Sequence, residues 1–202
     1  NPYWYRNKME FSFSNQRWLT KEEVESGVDI NRNALGFHKP GMWDKIVDVN
    51  ECHLQAEPSN EIRNFIRSYA LENEIAFFDP KNKAGFLRSL MIRTTSTKEV
   101  MIVLQIFNKN EKLLVPLLDA VAEKFPDITS IQYVINEKAN DTIYDQEIIC
   151  YRGTDFITEV MEELQFKITA KSFYQTNSLQ AYELYKVVRE LANLQGDELV
   201  YD

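Results

Sequence analysis

The sequence predicts an α+β fold: a largely antiparallel β-sheet with helices packed against it. Three observations predict it. Strand-like runs outnumber helical ones, they come as pairs joined by short polar corners, and a strict β-then-α alternation is absent until the C-terminal stretch. With 44% hydrophobic and 27% charged residues, three Trp, ten Tyr and twelve Phe, the chain has the material for a real core and is excluded from the disordered class. Its 202 residues accommodate one large domain, or one domain and part of another.

Each element follows from its pattern. Tyr3 to Ser14 places Tyr5, Asn7, Met9, Phe11 and Phe13 on one side and Arg6, Lys8, Glu10 and Ser12 on the other, the period of a half-buried strand. Leu35 to Lys39 and Ile46 to Val49 flank Pro40-Gly41 and read as a hairpin. Ser59 is a candidate cap for a helix from Glu61 to Asn73, in which Ile62, Phe65, Ile66, Tyr69 and Ala70 recur at helical spacing. Phe86 to Thr95 and Val100 to Phe107 are apolar or β-branched runs around a Ser96-Thr97-Lys98 corner, a hairpin expected near the sheet centre.

Glu111 to Phe125 carries Leu113, Leu114, Leu117, Leu118, Val121 and Ala122 as a helical stripe, and Pro126 ends it. Strands are expected at Ile128 to Asn136 and Glu147 to Tyr151 around a polar insert at Asn140 to Asp145. Phe156 to Leu164 has mixed character, and Phe166 to Ala170 reads as a closing strand. The helix from Ser178 to Asn193 is expected to bury Ala181, Leu184, Tyr185, Val188 and Leu191. A turn at Gln195-Gly196-Asp197 then leads to an apolar strand, Glu198 to Tyr201, that stops at Asp202. A helix, a glycine turn and an apolar strand are how a βα-repeating parallel domain begins. The expected domains are therefore 1–168, the α+β domain, and 169–202, the truncated start of a Rossmann-like one. The Asn-Pro opening without Met also reads as that of an excised piece.

No apolar run approaches the roughly 20 residues of a membrane-spanning helix, and no leader pattern opens the chain. Two distant cysteines do not make a disulfide framework, so the expectation is a soluble, cytoplasmic monomer with no membrane contact. Two histidines, His38 and His53, argue for no Ser/His/Asp set, and no phosphate loop or zinc-protease motif is present. The neighbouring carboxylates Glu22 and Glu23, like Glu162 and Glu163, read as solvated surface. Cys150, inside an apolar strand, reads as an inert core residue. Cys52, in the polar NECHLQ segment beside His53, reads as exposed and able to ligate, although one Cys-His pair cannot complete a metal site.

The net charge of −8 weighs against nucleic acid only on average. From Lys81 to Lys98 the chain holds Lys81, Lys83, Arg88, Arg93 and Lys98 with no acid, and Arg6, Lys8 and Arg17 form a second cluster. Ordinary solvated faces would give the same runs.

YRNKMEFSFS, GFHKPG followed by IVDVNECHL, GFLRSLMIR, and SFYQTNSLQAYELY, in this order along nearly the whole chain, resemble the bacterial RNA uracil-C5 methyltransferases, S-adenosylmethionine-dependent enzymes that make 5-methyluridine in ribosomal and transfer RNA. The resemblance implies the central α+β domain of such an enzyme with the first helix and strand of its methyltransferase domain. It implies that Cys52 is the fourth ligand of the iron-sulfur cluster of the ribosomal RNA branch, whose other three ligands would lie upstream. It further implies that Gln175 contacts S-adenosyl-L-methionine, that Phe173 stands close to RNA and the target base, and that Arg6 meets RNA. Core packing is the competing reading for Phe173, and a surface ion pair for Arg6. Lys8, Arg88 and Arg93 are the further candidate RNA contacts. The cofactor loop, the nucleophilic cysteine and the general base are all expected outside this chain, which alone is expected to be inactive. The sequence ANDTIYD departs from the family pattern. Two other readings stay open: a non-catalytic module that binds an acidic partner through its basic hairpin, and an iron-sulfur redox protein.

Overall fold

The computed structural model describes residues 2–196 and 198–201. Its body is a seven-stranded sheet in the order β3-β2-β1-β4-β5-β6-β7. Strand β1 (Lys8–Ser14) is followed by the short helix α1 (Lys21–Glu25) and the hairpin β2 (Ala34–Lys39) and β3 (Met42–Asp48). Helix α2 (Ser59–Glu72) leads to the hairpin β4 (Leu87–Thr94) and β5 (Val100–Ile106). Helix α3 (Glu111–Lys124) then carries the chain to β6 (Ser130–Ile135) and β7 (Ile148–Gly153). Every neighbouring pair is antiparallel except β5 and β6, which are parallel because α3 crosses over between them. A second hairpin, β8 (Phe156–Met161) and β9 (Leu164–Thr169), stands apart from this sheet, and helix α4 (Ser178–Ala192) follows.

One face of the sheet is closed. Met9, Phe11 and Phe13 of β1, with Leu90 and Ile92 of β4 and Ile102, Leu104 and Ile106 of β5, pack against Ile62 and Ile66 of α2 and Leu114, Leu117, Leu118 and Val121 of α3. These are the residues of the strand alternation and the two helical stripes. On the opposite face Met91, Met101, Val103 and Val134 meet Ile157 and Ile168 of the β8-β9 hairpin. That hairpin covers only part of the face. It is fastened by Glu159, buried at 2% exposure, whose carboxylate accepts from the Ser96 N–H at 3.1 Å and from the Ser96 hydroxyl, and by Thr97 Oγ1 donating to Thr158 O at 2.8 Å.

Glycines in two of the sequence motifs have a steric reason. A Cβ on Gly36 would lie 2.0 Å from the Val47 carbonyl oxygen across the β2-β3 pair. At Gly85, where φ is +106°, it would lie 2.4 Å from Phe77 O.

Several expectations change. Helix α2 begins at Ser59, with Pro58 at its N-cap. Ser59 Oγ donates to Gln55 Oε1 at 2.5 Å and so does not cap the helix. Phe156 to Met161 is a regular strand, and β9 pairs with it instead of closing the large sheet. Of the five residues expected to be buried by the last helix, only Ala181 is; Leu184, Tyr185, Val188 and Leu191 are 54%, 42%, 53% and 82% exposed. Residues 198–201 form no strand; the Glu198 carboxylate accepts instead from the backbone N–H of Gln195 and Gly196. The parts of this turn and strand at Asp197 and Asp202 lie outside the described residues. Glu23 is not merely solvated, since it forms a capping box with Thr20 and pairs with Arg17 at 2.7 Å. Among the described residues no helix is long and apolar enough to cross a membrane.

Candidate functional site

The uncovered part of the second sheet face is a cleft of about 520 Å³, within the usual size of small-molecule sites. Ser12 of β1, His38 of β2, Ser89 and Met91 of β4, and Val103 and Gln105 of β5 form its floor, and the segment Asn140 to Tyr144 forms one wall. The strand period explains the floor, because these side chains alternate with those that enter the helix-covered core. Ser12 Oγ and His38 Nε2 are 3.3 Å apart, and Ser89 Oγ donates to Gln105 Oε1 at 2.8 Å. Lys8 pairs with Glu10 at the rim. Hydroxyl, amide and imidazole groups on a mainly polar, uncharged floor suit binding and orienting more than bond breaking.

The wall is held by Arg88. This residue falls in a β-bulge, between the Leu87–Ile106 and Ser89–Gln105 pairs, so its side chain leaves the sheet near the loop after β6. Its Nη1 donates to Asn136 O at 2.6 Å and Lys138 O at 2.8 Å, its Nη2 reaches Asp141 Oδ1 at 2.5 Å, and the guanidinium stacks over the Phe78 ring at 4.4 Å. Arg93 is also enclosed: its Nη2 donates to Ser172 O at 2.6 Å and to Ala170 O at 3.4 Å. Burial pulls the Arg93 guanidinium below the usual arginine range, opposed by the nearby Glu10. With 3% and 4% exposure, the two arginines are internal struts. The basic hairpin expected to present them to RNA phosphates presents only the lysines, Lys81 and Lys83 before β4 and Lys98 at its far turn, and Lys81 pairs with Asp44 at 2.9 Å. The reason is physical: Arg88 and Arg93 stand opposite unsatisfied loop carbonyls, and five N–H donors satisfy several of those at once.

Beyond the cleft, Asn7 ties the start of the chain to the segment before α4. Its backbone N–H donates to Thr176 O at 2.8 Å, and its Nδ2 donates to Gln175 O at 2.9 Å and Ser178 Oγ at 2.7 Å. Asn177 then caps α4 by accepting from the Gln180 N–H. The pinned segment alternates. Tyr174 turns inward against Phe166 at 5.7 Å, whereas Phe173 is 84% exposed and Gln175 is exposed. Phe173 is therefore not a core residue. Arg6 and Lys8 run along an adjacent shallow groove with Phe37, Leu54 and Thr176, and Arg6 forms no ion pair among the described residues.

Both cysteines reverse their expected environments. Cys52 is buried at 5% exposure in the helix-covered core, with its N–H donating to Asn60 Oδ1 and its carbonyl accepting from Asn60 Nδ2. Cys150 is exposed on β7, the edge strand. Partial burial and then Asp155 push its thiol up, away from the reactive thiolate. Among the described residues no group of three or more His, Cys, Asp or Glu could hold a metal ion. One buried thiol does not fit a four-ligand cluster by itself.

Sequence reasoning missed Asn7, Ser89, Gln105 and Asn136. A signal existed for two of them, since Gln105 and Ser89 are polar residues set inside apolar strands, VMIVLQI and LRSLMIRT. Asn7 had none, because its partners are remote in sequence, whereas the Asn136 side chain bonds Lys138, Asn140 and Thr142 a few residues on and only its carbonyl meets the distant Arg88.

No protein-family model matches the chain. Among curated proteins it is 57% identical to an uncharacterised RNA methyltransferase of Porphyromonas gingivalis and 50% identical to one of Bacteroides thetaiotaomicron, in each case over 98% of this chain and 44% of the relative. It is 33% identical to another from Chlorobaculum tepidum, over 98% of this chain and 42% of that protein. Among solved structures it resembles the Pyrococcus abyssi tRNA (uracil-54, C5)-methyltransferase in complex with S-adenosyl-L-homocysteine, with a TM-score of 0.69 and 28% identity over 95% of this chain and 42% of that one. The chain thus spans less than half the length of these relatives, and over nearly its own full length it is similar to part of proteins named as RNA methyltransferases.

Proposed function

We propose that this chain is the RNA-positioning portion of an S-adenosylmethionine-dependent RNA uracil-C5 methyltransferase, with residues 169–202 beginning the cofactor-binding domain. The carrying observation is the segment pinned by Asn7, which holds Phe173 and Gln175 out toward solvent together. In this reading Phe173 meets the RNA beside the target uracil, Gln175 gives one amide contact to the cofactor, and Arg6 and Lys8 meet the RNA backbone. S-adenosyl-L-methionine, when bound, supplies the methyl group. The exposed apolar side of α4 agrees with a helix that packs against further protein, and the similarity to named RNA methyltransferases supports the reaction class.

Cys52 in its NECHL context supports ribosomal over transfer RNA as the substrate, although the solved relative is named for transfer RNA. No chemistry in this reading passes through a cluster.

The test is methyl transfer from labelled S-adenosylmethionine by the complete protein, with ribosomal and transfer RNA offered separately and the digested nucleosides separated. The expected product is 5-methyluridine in ribosomal RNA. Phe173→Ala should lower methyl transfer with cofactor binding unchanged, and Gln175→Ala should weaken cofactor binding. Product in transfer RNA alone rejects the substrate, and no product in either RNA rejects the reading.

A further inference from the structure

The floor of the cleft on the open sheet face is not used by the function proposed above, whose residues Arg6, Lys8, Phe173 and Gln175 reach this cleft only at its rim, through Lys8. Its chemistry is specific. The charged groups that border it are paired within the protein, Lys8 with Glu10 at the rim and Asp141 with the buried Arg88, and the floor itself carries neither lysine nor arginine. Its floor instead offers neutral hydrogen-bonding groups. Gln105 is 2% exposed, and its Oε1 is taken by Ser89, but its Nε2 has no hydrogen-bond partner. A buried amide donor left unpaired costs about 1–3 kcal/mol, and a ligand acceptor would recover it. Met91 and Val103 flank this donor but are themselves buried, so the exposed ring beside it is that of Tyr144, 67% exposed, on the wall segment.

We propose that the cleft receives one unpaired RNA base, separate from the base that is methylated. The base presents a ring carbonyl or ring nitrogen to Gln105 Nε2 and is flanked by the Tyr144 ring. A planar, uncharged heterocycle with acceptors on its edge matches a neutral polar floor, and proteins read extruded RNA bases by such edge contacts and stacking. Arg88, by fixing the wall through Asn136, Lys138 and Asp141, is a positioning residue for this site. The inference rests on the reading of the chain as an RNA-binding portion and adds a second base contact to it.

The test uses the 202-residue chain and RNA heptamers that carry a single base, each of the four in turn, in an otherwise abasic ribose-phosphate backbone, with the fully abasic heptamer as reference. Binding is followed by fluorescence anisotropy. At least one single-base heptamer should bind about tenfold more tightly than the abasic one, on the scale of one stacked and hydrogen-bonded base. Gln105→Leu should bring that ratio close to one while abasic binding stays as it was. Thermal melting checks the fold of this variant. Should it unfold, Tyr144→Ala, at an exposed position, takes its place and should reduce the ratio several-fold. Equal binding of all heptamers overturns the base site and leaves the RNA-binding reading standing, as does a ratio unchanged in both variants. Binding of none of the heptamers overturns both.

Discussion

The two faces of the large sheet are made by the same strands, yet they have opposite chemistry. Toward α2 and α3, β1, β4 and β5 present Met9, Phe11, Phe13, Leu90, Ile92, Ile102 and Leu104, all 6% exposed or less. Toward the cleft the same strands present Ser12, Ser89, Met91, Val103 and Gln105. The first face is saturated, because every side chain finds an apolar partner. The second is covered at one end by the β8-β9 hairpin and left open at the other, where Ser12 pairs with His38 and Ser89 with Gln105 Oε1 while Gln105 Nε2 has no hydrogen-bond partner. One side of the pleated surface is thus closed by packing and the other carries hydrogen-bonding groups, so that substitutions one residue apart in sequence should have unlike effects.

The largest expected effect breaks the closed face. Ile102→Ala should destabilise the chain by about 2–5 kcal/mol through lost burial and the cavity left behind, read as a lower urea midpoint. Next comes the strut between sheet and wall. Arg88→Met keeps the apolar stem over Phe78 but leaves the carbonyls of Asn136 and Lys138 without their donor, and should cost about 2 kcal/mol. The same variant should speed amide hydrogen exchange in the 137–145 loop more than in β5, and uniform exchange rates would remove Arg88 from its role in holding the wall.

A third prediction concerns the turn before β4. Asp79 accepts from the backbone N–H of Asn82 and Lys81 and from the Asn15 amide, and these bonds, the Asn82 N–H foremost, hold its carboxyl at about 2, below its ordinary 3.8. A depressed carboxyl stabilises the fold above the unfolded value, and this contribution is lost as the pH falls from 3.8 toward about 2. Asp79→Asn should therefore flatten the acid limb of the stability curve, by on the order of 1 kcal/mol once solvent screening is allowed for. Urea midpoints at pH 3 and pH 7 check it, and an equal drop in both proteins would show that other carboxylates govern that limb.

The smallest effect is expected on α4. Leu191→Ser, at a side chain 82% exposed, should change stability of this chain by no more than about 0.5 kcal/mol. A large loss would mean that the helix is held by contacts absent from this structure.

Much of the closed face was legible in the sequence. The alternation in KMEFSFS and the stripes of α2 and α3 name the buried residues directly, since a period of two or 3.6 states which side chains share a face. The Pro40-Gly41 corner and Pro126 fixed ends for the same local reason. The candidate site was legible only in part. Phe173 and Gln175 were singled out by resemblance, and the structure exposes both, whereas Arg88 and Arg93 were read as phosphate contacts from a charge run that says nothing of where a side chain ends.

Local pattern by itself determined the elements, their order and the apolar side of each, because these depend on neighbours a few residues away. Packing in three dimensions alone set which polar residues are buried, that Arg88 fastens a loop some fifty positions later in the chain, that Asn7 pins the segment before α4, that the β8-β9 hairpin leaves part of a sheet face open, and that Cys52 lies inside while Cys150 lies outside. Each of these depends on partners far apart along the chain: a buried guanidinium or amide is placed by the carbonyls that surround it in space, and no periodicity of its own segment records them.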